Sequence, residues 1–461
     1  MAKVFWRRSI RISMPQRRKA TPPEDGFEMI ETMMPPDQWI RTTGRLQSVE
    51  GRMCATIDAG LGELVEITSS SNQSVLAEVI GFNDDKAQLM PYQAGVDFQR
   101  GNVVISTGKR MRVPVGRQLL GRVIDSLGRP IDSRGPIHCD HSAELHFENP
   151  DPLTRPLIRD PFVTGVRSID GMLTLGQGQR VGLFAGSGVG KSTLLGEIAK
   201  HAVCDVNVVA MIGERGREIR PFIEETLGPE GIARSVVIVS TSDQPPLARI
   251  RASESAVAIA SWFRSQGLNV LFMLDSLTRL AHAQRELGLL LGEPPTSRGY
   301  TPSVFQKMAQ LLEQLGTSDK GVITGLLTVL VDGDDMNEPV ADAARSILDG
   351  HIVLDRKLAH QGHFPAINVL SSASRLFNEV TCGAHQQHAA SIRRVLAKYS
   401  EVEDLLQIGA YHKGAMPESD RAIEANPEVN RFLRQAMNEP SSLEATRAGL
   451  AQLQQLIGQS K

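Results

Sequence analysis

The stretch Ala185-Gly186-Ser187-Gly188-Val189-Gly190-Lys191-Ser192-Thr193 decides how this chain folds. An apolar, β-branched run over residues 180–184 precedes it, and a helical pattern over residues 191–201 follows it. A glycine-rich turn between a strand and a helix, ending in Lys-Ser, is the P-loop motif. Its glycines let backbone N–H groups surround phosphate oxygens, and the helix N-terminus adds a positive dipole end. We therefore predict that this stretch binds the phosphates of a nucleotide, although its first residue is Ala rather than Gly.

Two acidic residues follow other predicted strands of the same region. An apolar run over residues 206–212 is followed by Gly213-Glu214-Arg215, and another over residues 269–274 is followed by Asp275. In a parallel sheet the carboxyl ends of the strands lie at one edge, and ligands bind there. Glu214 and Asp275 are therefore expected close to the P-loop.

Each of these side chains has a chemical role that suits a nucleotide site. The Lys191 ammonium can reach the β- and γ-phosphates, and the Ser192 hydroxyl can ligate Mg²⁺. Asp275 suits the Mg²⁺ shell, partly through water, or it could serve as a helix N-cap. Glu214 could polarise an attacking water, and the alternative is a surface ion pair with an adjacent arginine. ATP and Mg²⁺ are therefore the expected substrate and cofactor.

Short β-branched runs alternate with helical stretches between residues 178 and 331, and this alternation is typical of βαβ units. The predicted strands cover residues 180–184, 206–212, 235–240, 269–274 and 322–331. The predicted helices between them cover residues 191–201, 249–267 and 276–290. The fold class is therefore α/β, with a largely parallel sheet around the P-loop.

The pattern changes on both sides of this region, which predicts further domains. We divide the chain into five parts: a mobile N-terminal extension (1–36), an N-terminal β-barrel (37–108), a connecting segment rich in Gly, Pro and Asp (109–160), the P-loop core (161–382) and a C-terminal helical domain (383–461). Alternating runs such as Val75–Ile80 support the barrel, and helical spacing over 389–399 and 443–456 supports the helical domain.

Composition excludes several classes of protein. The chain has 461 residues, a net charge of −2 and 5% aromatic residues, so it lacks the basic excess of a general polyanion binder. An RNA-translocating hexamer would need stacking aromatics in its N-terminal module, and residues 40–108 offer only Phe82, Tyr92 and Phe98. No apolar run reaches the ~18 residues of a membrane span, and the N-terminus lacks the apolar region of a signal peptide. The four cysteines are scattered without a C-x-x-C pair, which favours a reducing compartment.

The sequence resembles the hexameric ATPases related to the catalytic subunit of the rotary ATP synthase. It is more similar to the ATPases of type III protein export, and most similar to the flagellar one. Besides the P-loop, seven motifs carry the resemblance over roughly residues 40–460. They are Leu120–Asp125, Thr164–Asp170, Gly213–Glu218, Asp332–Pro339, Leu348–Leu354, Pro365–Asn368 and Ser372–Arg375. The resemblance implies a RecA-like P-loop NTPase core that hydrolyses ATP.

The resemblance also implies roles for individual residues. Glu214 matches the catalytic carboxylate, and Arg215 and Arg279 match arginines that contact the γ-phosphate. Phe364 matches an aromatic residue that packs on adenine, with ordinary core packing as the alternative. Arg375 matches the arginine finger that reaches into a neighbouring subunit's site, with a non-catalytic interface ion pair as the alternative.

Because one chain carries both Glu214 and Arg375, a homo-oligomeric ring, most simply a hexamer, can form complete sites. The presence of Glu214 also argues against a nucleotide-binding subunit that does not hydrolyse ATP.

Finer features favour the flagellar export ATPase, with the ATPase of a virulence-type injectisome as the alternative. The stretch Gln407–Gly414 matches export ATPases rather than the acidic rotor-contacting loop of a rotary catalytic subunit. Residues 242–246, 292–295 and 299–305 look more flagellar than virulence-type. This reading implies a cytoplasmic ATPase, peripherally associated with the inner membrane at the export gate, that releases chaperones and unfolds export substrates.

The resemblance implies protein partners and no nucleic acid. A negative-regulator or stator protein would bind the N-terminal segment, a stalk protein the pore of the ring, and chaperone–substrate complexes the C-terminal domain. Residues 1–20 hold seven Lys or Arg and no acidic residue, so they could bind the regulator or an acidic lipid surface. The alternative is a solvated tail, or translation that begins at Met14.

Two groups of histidines are weak candidates for a metal. His138, Cys139, His141 and His146 lie close in sequence, but their spacing lacks a paired zinc motif. His385 and His388 are expected on an exposed face of a helix.

Overall fold

A closed six-stranded barrel forms the first part of the chain in the computed structural model, which describes residues 41–49, 53–145, 151–331, 335–414 and 416–459. The strands are β1 (Thr43–Ser48), β2 (Met53–Thr56), β3 (Glu63–Thr68), β4 (Ser74–Asn83), β5 (Lys86–Pro91) and β6 (Val103–Arg110). They pair in the order β1-β2-β5-β4-β3-β6. Because side chains alternate along a strand, Val65 and Ile67 of β3 both point into the barrel with Ala77 and Val79 of β4. The predicted N-terminal β-barrel is confirmed, while the predicted extension 1–36 lies outside the described residues.

The segment 109–160 is more than a connection. It contains β7 (Arg112–Val115), a 3₁₀ turn (Arg117–Leu119), β8 (Val123–Ile124) and β9 (His141–Glu144). β7 and β9 form an antiparallel pair, and β8 adds an edge strand to the large sheet of the core. Val113 and Leu119 are completely buried in the main hydrophobic core. These strands have only two to four residues, and β9 is largely polar, so none of them carries a strand pattern in the sequence, which explains the difference.

A nine-stranded sheet organises the core. The first half of the core contains β10 (Pro161–Phe162), α1 (Arg167–Met172), β11 (Leu175–Gly176), β12 (Arg180–Ala185), α2 (Lys191–His201), β13 (Val206–Ile212), α3 (Gly216–Pro221), a π-helical turn (Phe222–Leu227), α4 (Gly228–Ala233) and β14 (Ser235–Ser240). Its second half contains α5 (Pro246–Ser265), β15 (Asn269–Asp275), α6 (Leu277–Leu291), a 3₁₀ turn (Ser297–Gly299), α7 (Pro302–Glu313), β16 (Gly316–Thr317), β17 (Val322–Leu330), α8 (Pro339–Ile347), β18 (Gly350–Leu354), α9 (Arg356–His360), β19 (Ala373–Ser374) and α10 (Phe377–Val380). Among the described residues, the small strands β10 and β11 pair only with each other.

The sheet order is β19-β18-β12-β17-β15-β13-β14-β8, with β16 beside β17. All pairs are parallel except β16 with β17 and β18 with β19, so the predicted parallel sheet is confirmed. α2 packs on one face of the sheet, and α5 to α8 pack on the other. Helices on both faces explain why β13 and β14 are buried along their whole length. This arrangement confirms the α/β, RecA-like P-loop core.

Three helices complete the chain: α11 (Gly383–Gln407), α12 (Pro417–Leu433) and α13 (Leu443–Gln459), which confirms the predicted helical domain. Phe432 and Leu450 pack close to Gly171 in α1 and so join this domain to the core. His385 contradicts its predicted exposure, since it is 2% exposed and its ring Nε2 lies 2.8 Å from the Gly171 carbonyl. A hydrogen bond to the core satisfies this ring nitrogen, which allows an amphipathic side chain to be buried.

None of the helices in the described part of the chain has both the length and the apolar character needed to cross a membrane.

Candidate nucleotide site

The P-loop connects β12 to α2, as predicted. Gly190 immediately precedes α2 with a φ of 88°, a left-handed conformation that a residue with a side chain rarely adopts. Lys191 begins the helix, and Ser192 and Thr193 are exposed in its first turn. The phosphate-binding turn and the two hydroxyl groups therefore lie at the carboxyl edge of the sheet.

Lys191, Glu214 and Asp275 meet at this edge. The Lys191 ammonium lies 2.5 Å from Asp275 Oδ1 and 3.7 Å from Glu214 Oε1. All three side chains are largely buried, and the two carboxylates share one cation. The structure therefore brings together the P-loop lysine and the two carboxylates that the sequence placed at the ends of separate strands.

The alternatives for the two acidic residues do not fit their surroundings. Ser276, not Asp275, caps α6, because its Oγ accepts a hydrogen bond from the Arg279 N–H at 3.3 Å. Glu214 is buried rather than at the surface, and the adjacent Arg215 pairs with Glu218 at 3.7 Å. Both carboxylates are therefore available for chemistry at the sheet edge.

Thr328 is a site residue that the sequence analysis missed. It is completely buried on β17, next to β15, and its hydroxyl donates a hydrogen bond of 2.7 Å to Asp275 Oδ1. Within the β-branched run of β17, a threonine looks like any other buried strand residue. Its position beside Asp275 depends on the pairing of the two strands, which the sequence pattern alone does not specify.

The environment of Glu214 raises its pKa above the ordinary value. Burial is the main cause, and the negative charge of Asp275 adds to it. Lys191 and Arg279 act in the opposite direction but do not cancel the shift. Glu214 Oε1 is buried without a hydrogen-bond partner. A carboxylate with a raised pKa and a free acceptor oxygen is suited to act as a general base toward a water molecule.

Arg279 lies close to this carboxylate group, whereas Arg215 is exposed and pairs with Glu218. A Cβ atom at Gly213, where φ is 69°, would lie 2.8 Å from Cβ of Arg279, so glycine is required for this close approach. The Arg279 side chain is half-buried on the first turn of α6. In contrast, the Arg215 side chain is 62% exposed.

Arg375 forms its hydrogen bonds outside the Lys191 cluster. Its Nη2 donates a 3.0 Å hydrogen bond to the Arg345 carbonyl in the last turn of α8, and its residue is exposed. Its backbone N–H donates to the Asp349 carbonyl at 3.0 Å. The structure therefore holds Arg375 at the surface, separate from the Lys191 cluster.

A pocket of about 450 Å³ adjoins the other side of the P-loop. Phe364 lines it, is 47% exposed, and packs its ring close to Gly190, so its alternative as an ordinary core residue is wrong. The segment Gln435–Met437, between α12 and α13, forms part of the wall. A mainly apolar cleft with an exposed aromatic ring next to a P-loop suits a nucleotide base.

Gln435 is a second residue that the sequence analysis missed. Its side-chain Oε1 accepts a hydrogen bond from the Arg167 N–H, and its Nε2 donates to the Gly165 carbonyl, both at 2.8 Å. Its backbone N–H donates to the Phe364 carbonyl at 3.0 Å. Since Gln435 lies more than 240 residues after the P-loop, no local pattern in the sequence indicates this role.

The described part of the chain holds no group of three or more His, Cys, Asp and Glu that could bind a metal ion by itself. Of the predicted weak candidates, His138, Cys139 and His141 lie in the described part of the chain, whereas His146 lies outside it.

Comparison with known proteins identifies the family. The model of the ATP synthase alpha/beta family, nucleotide-binding domain, matches residues 165–374, and that of the T3SS EscN ATPase C-terminal domain matches residues 381–452. The Flagellum-specific ATP synthase of Bacillus subtilis is 50% identical over 396 residues, covering 85% of this chain and 89% of the relative. The chain belongs to the type III export ATPase family. It is therefore an ATPase, as the P-loop and the Lys191 cluster predicted.

Both branches of this ATPase family contain close relatives. The Type 3 secretion system ATPase of Xanthomonas euvesicatoria is 46% identical over 409 residues, covering 88% of this chain and 92% of the relative. The solved structure of the assembled ATPase EscN from the type III secretion system of enteropathogenic E. coli matches with a TM-score of 0.84 and 43% identity. That match covers 89% of this chain and 99% of EscN. The same ATPase in complex with its central stalk EscO matches with a TM-score of 0.82 and 42% identity, over the same shares of the two chains.

Proposed function

We propose that this ATPase works as a homohexameric ring that powers flagellar type III protein export. The observation that carries the ring is the position of Arg375, an exposed side chain that binds the Arg345 carbonyl and, among the described residues, has no hydrogen bond or ion pair with Lys191, Glu214 or Asp275. An arginine with this placement can complete the site of a neighbouring copy. The solved assembly of EscN supports a ring, since its sequence and fold are similar to those of this chain.

The residues at this edge of the sheet have separate roles in the proposed hydrolysis. Lys191 binds the β- and γ-phosphates, and Glu214 accepts the proton of the attacking water as it polarises that water. Arg279, on the first turn of α6, contacts the γ-phosphate. Arg215 is exposed and reaches the same phosphate only after its side chain turns inward. Arg375 of a neighbouring copy stabilises the charge that develops on the transferred phosphate.

Mg²⁺ fits the residues at this edge. The Ser192 hydroxyl and the Asp275 carboxylate are hard oxygen donors, and phosphate-transfer sites bind Mg²⁺ through one or two carboxylates and the substrate's own phosphates. Two buried carboxylates also need a positive charge; in this structure Lys191 pairs with both of them, and Arg279 lies close enough to act on Glu214. We assign Ser192 and Asp275, partly through water, as the Mg²⁺ ligands. The chemistry that the ion supplies in such sites is neutralisation of charge on the phosphate oxygens.

The pocket lined by Phe364 is proposed to bind adenine. An aromatic ring and apolar walls hold a flat base by stacking and by removing apolar surface from water. The P-loop residues Ala185 to Thr193 then hold the phosphates, next to this pocket on one side and to Glu214 and Asp275 on the other.

The remaining parts of the proposal concern export. ATP turnover releases chaperones and unfolds export substrates at the C-terminal domain. A stalk protein occupies the pore, as the complex of EscN with EscO suggests by similarity, and a regulator or stator protein binds the N-terminal segment. The ring works in the cytoplasm, peripherally associated with the inner membrane at the export gate. The alternative is an injectisome ATPase, because relatives of that type are nearly as similar as the flagellar one.

A deletion strain tests the assignment to flagella. Loss of the gene should abolish flagellar filaments and the export of their subunits, and expression of the intact chain should restore both. Expression of the Glu214→Gln variant should not restore them. Normal flagella in the deletion strain, with loss of toxin-type secretion, would overturn the flagellar assignment and support the injectisome.

A further inference from the structure

Tyr300 is a buried aromatic residue that joins two helices of the core through its hydroxyl group. It is 4% exposed, and its hydroxyl donates a 2.9 Å hydrogen bond to Glu338 Oε1, at the start of α8. The ring Nε2 of His282, on α6, lies 3.2 Å from the same hydroxyl. None of these three residues has a role in the hydrolysis described above.

The direction of these hydrogen bonds follows from the groups involved. A carboxylate only accepts, so the Tyr300 hydroxyl donates to Glu338, and its oxygen then accepts from the Nε2–H tautomer of His282. Burial lowers the pKa of His282, which favours a neutral ring with a single N–H. The two rings are stacked, with a centroid separation of 6.1 Å, and this stacking further restricts the position of Tyr300.

Glu338 uses its two carboxylate oxygens for different partners. While Oε1 accepts from Tyr300, Oε2 accepts from the backbone N–H groups of Val340 at 2.9 Å and Ala341 at 3.1 Å. These N–H groups belong to the first turn of α8 and have no partner within the helix. Glu338 is therefore the N-cap of α8, and Tyr300 holds the cap in place.

The opposite end of α8 holds Arg375. The Arg345 carbonyl lies in the last turn of the helix, where carbonyl groups lack a partner within the helix and the dipole is negative. The Arg375 guanidinium supplies both the hydrogen-bond donor and the positive charge, with Nη2 at 3.0 Å. The position of α8 therefore decides where this guanidinium is presented.

The contacts that lead to Arg375 begin at the chain's own nucleotide site. α6 begins two residues after Asp275 and carries Arg279 on its first turn. His282 lies one turn further along the same helix. A continuous series of contacts thus runs from the nucleotide edge through α6, Tyr300 and Glu338 to α8 and Arg375.

We propose that Tyr300 and Glu338 are positioning residues that couple the nucleotide site of one subunit to the arginine finger that it offers to its neighbour. The inference rests on the proposed ring, in which Arg375 acts on a neighbouring site. A shift of α6 on nucleotide binding moves Tyr300 and its cap, and α8 then moves the Arg345 carbonyl that holds the finger. Tyr300 therefore matters to the subunit that donates the finger, not to the subunit that hydrolyses.

Mixed rings test this assignment. A Glu214→Gln subunit cannot hydrolyse at its own site but still donates Arg375, whereas an Arg375→Ala subunit keeps its own site but donates no finger. An equal mixture of the two, combined before ring assembly, should regain ATPase activity that neither variant has alone. Tyr300→Phe is then added either to the donor subunit or to the hydrolysing subunit, and the turnover of the two mixtures is compared.

The expected result depends on the subunit that carries the substitution. Tyr300→Phe on the donor should lower turnover about five- to tenfold, as expected for the loss of one buried coupling hydrogen bond. The same change on the hydrolysing subunit should alter turnover less than about twofold, which is below the usual range of such couplings. Tyr411→Phe on the donor is the matched control, because it removes a 2.9 Å hydroxyl–carboxylate bond to Asp420 in the helical domain.

The mixed-ring experiment distinguishes failure of the proposed ring from failure of the coupling role. If the Glu214→Gln and Arg375→Ala mixture stays inactive, the proposed ring with a finger in trans fails, and this inference fails with it. If the mixture is active but Tyr300→Phe lowers turnover equally in either subunit, or in neither, the coupling role is wrong while the ring stands.

A second variant separates the coupling role from a local structural effect of Tyr300→Phe. Glu338→Gln keeps one side-chain oxygen to cap α8 but puts an NH2 group in place of the oxygen that accepts from Tyr300, and this group cannot accept the hydrogen bond. It should show the same dependence on the donor subunit, and a loss confined to the hydrolysing subunit would overturn the proposal.

Discussion

The ammonium of Lys191, at the start of α2, and the carboxylate of Asp275, at the end of β15, form an ion pair of 2.5 Å. The lysine belongs to the P-loop, and the aspartate ends β15, so the pair joins the two motifs that the proposed hydrolysis uses. Glu214 shares the same ammonium at the longer distance of 3.7 Å. Because the phosphates must compete for this lysine, the groups that hold Asp275 in place also affect the nucleotide site.

Thr328 is expected to support Asp275 during catalysis. Thr328→Val keeps the shape of the side chain but removes the hydroxyl that donates to Asp275 Oδ1. We expect kcat to fall about tenfold, since a lost hydrogen bond to a charged group costs about 1.5–3 kcal/mol. Steady-state ATPase assays measure this change. Thr324→Val on the same strand is the control: its hydroxyl accepts from the Gly178 N–H, and its loss should lower the Tm without lowering kcat.

Glu214 is expected to lower the stability of the folded chain at neutral pH but not at acidic pH. Its pKa is raised in the folded chain, so the fold loses stability as pH rises from the unfolded pKa of about 4.3 through the folded value. Below that window both states bind the proton, and the loss is absent. Glu214→Gln, which stays neutral, should therefore have a higher Tm than the unchanged chain at pH 7.5 and a nearly equal Tm at pH 4. Equal differences at the two pH values would contradict this explanation.

Local patterns in the sequence predicted the P-loop, the parallel strands and the carboxylates at their ends, because each depends on residues that are close along the chain. β8 was missed, since two apolar residues between turn signals carry no periodicity. Thr328 and Gln435 were missed for a different reason. Their roles depend on strand pairing and on the packing of the helical domain, which bring residues from distant parts of the chain together.

Gln435 is expected to determine the affinity for ATP through the shape of the base pocket. Gln435→Ala removes the side-chain bonds to Gly165 and Arg167 and frees the segment that contacts Phe364. We expect KM for ATP to rise about tenfold, a loss of about 1.4 kcal/mol, with kcat changed less than about twofold.

Gln386→Ala is the matched control for this substitution. Gln386 also donates its side-chain amide to two backbone carbonyl groups, those of Asn378 and Thr381, but it does not line the base pocket. It should lower the Tm and leave KM unchanged. An unchanged KM in Gln435→Ala as well would show that the segment does not shape the pocket.

Arg375 is expected to act in hydrolysis and not in nucleotide binding. Arg375→Ala should bind ATP with nearly normal affinity, because the guanidinium contacts Arg345 and not the P-loop of its own chain. Its turnover in the assembled ring should fall about 10³-fold, as for other arginine fingers. Arg431→Ala, which removes an exposed arginine of α12, is the control and should keep full turnover. Unchanged turnover in Arg375→Ala would refute the finger assignment.

The barrel and the core are expected to depend on a buried arginine for their association. Arg251 on α5 contacts Glu78, which is 1% exposed on β4, and also contacts Glu254 on its own helix. Tyr92 donates a 2.5 Å hydrogen bond to the same Glu78 carboxylate. Arg251→Met should destabilise the chain by about 3–5 kcal/mol, because it leaves the buried Glu78 carboxylate without its counter-charge, whereas Glu254 keeps its ion pair with Lys307.

The double variant Glu78→Gln with Arg251→Met separates this cause from a loss of packing. The neutral amide of Gln can still accept from Tyr92 and needs no counter-charge, so most of the lost stability should return. Urea unfolding at pH 7.5 measures the free energies of the two variants and of the unchanged chain, compared at equal slopes. A double variant no more stable than Arg251→Met would show that the arginine acts through its packed stem rather than through its charge.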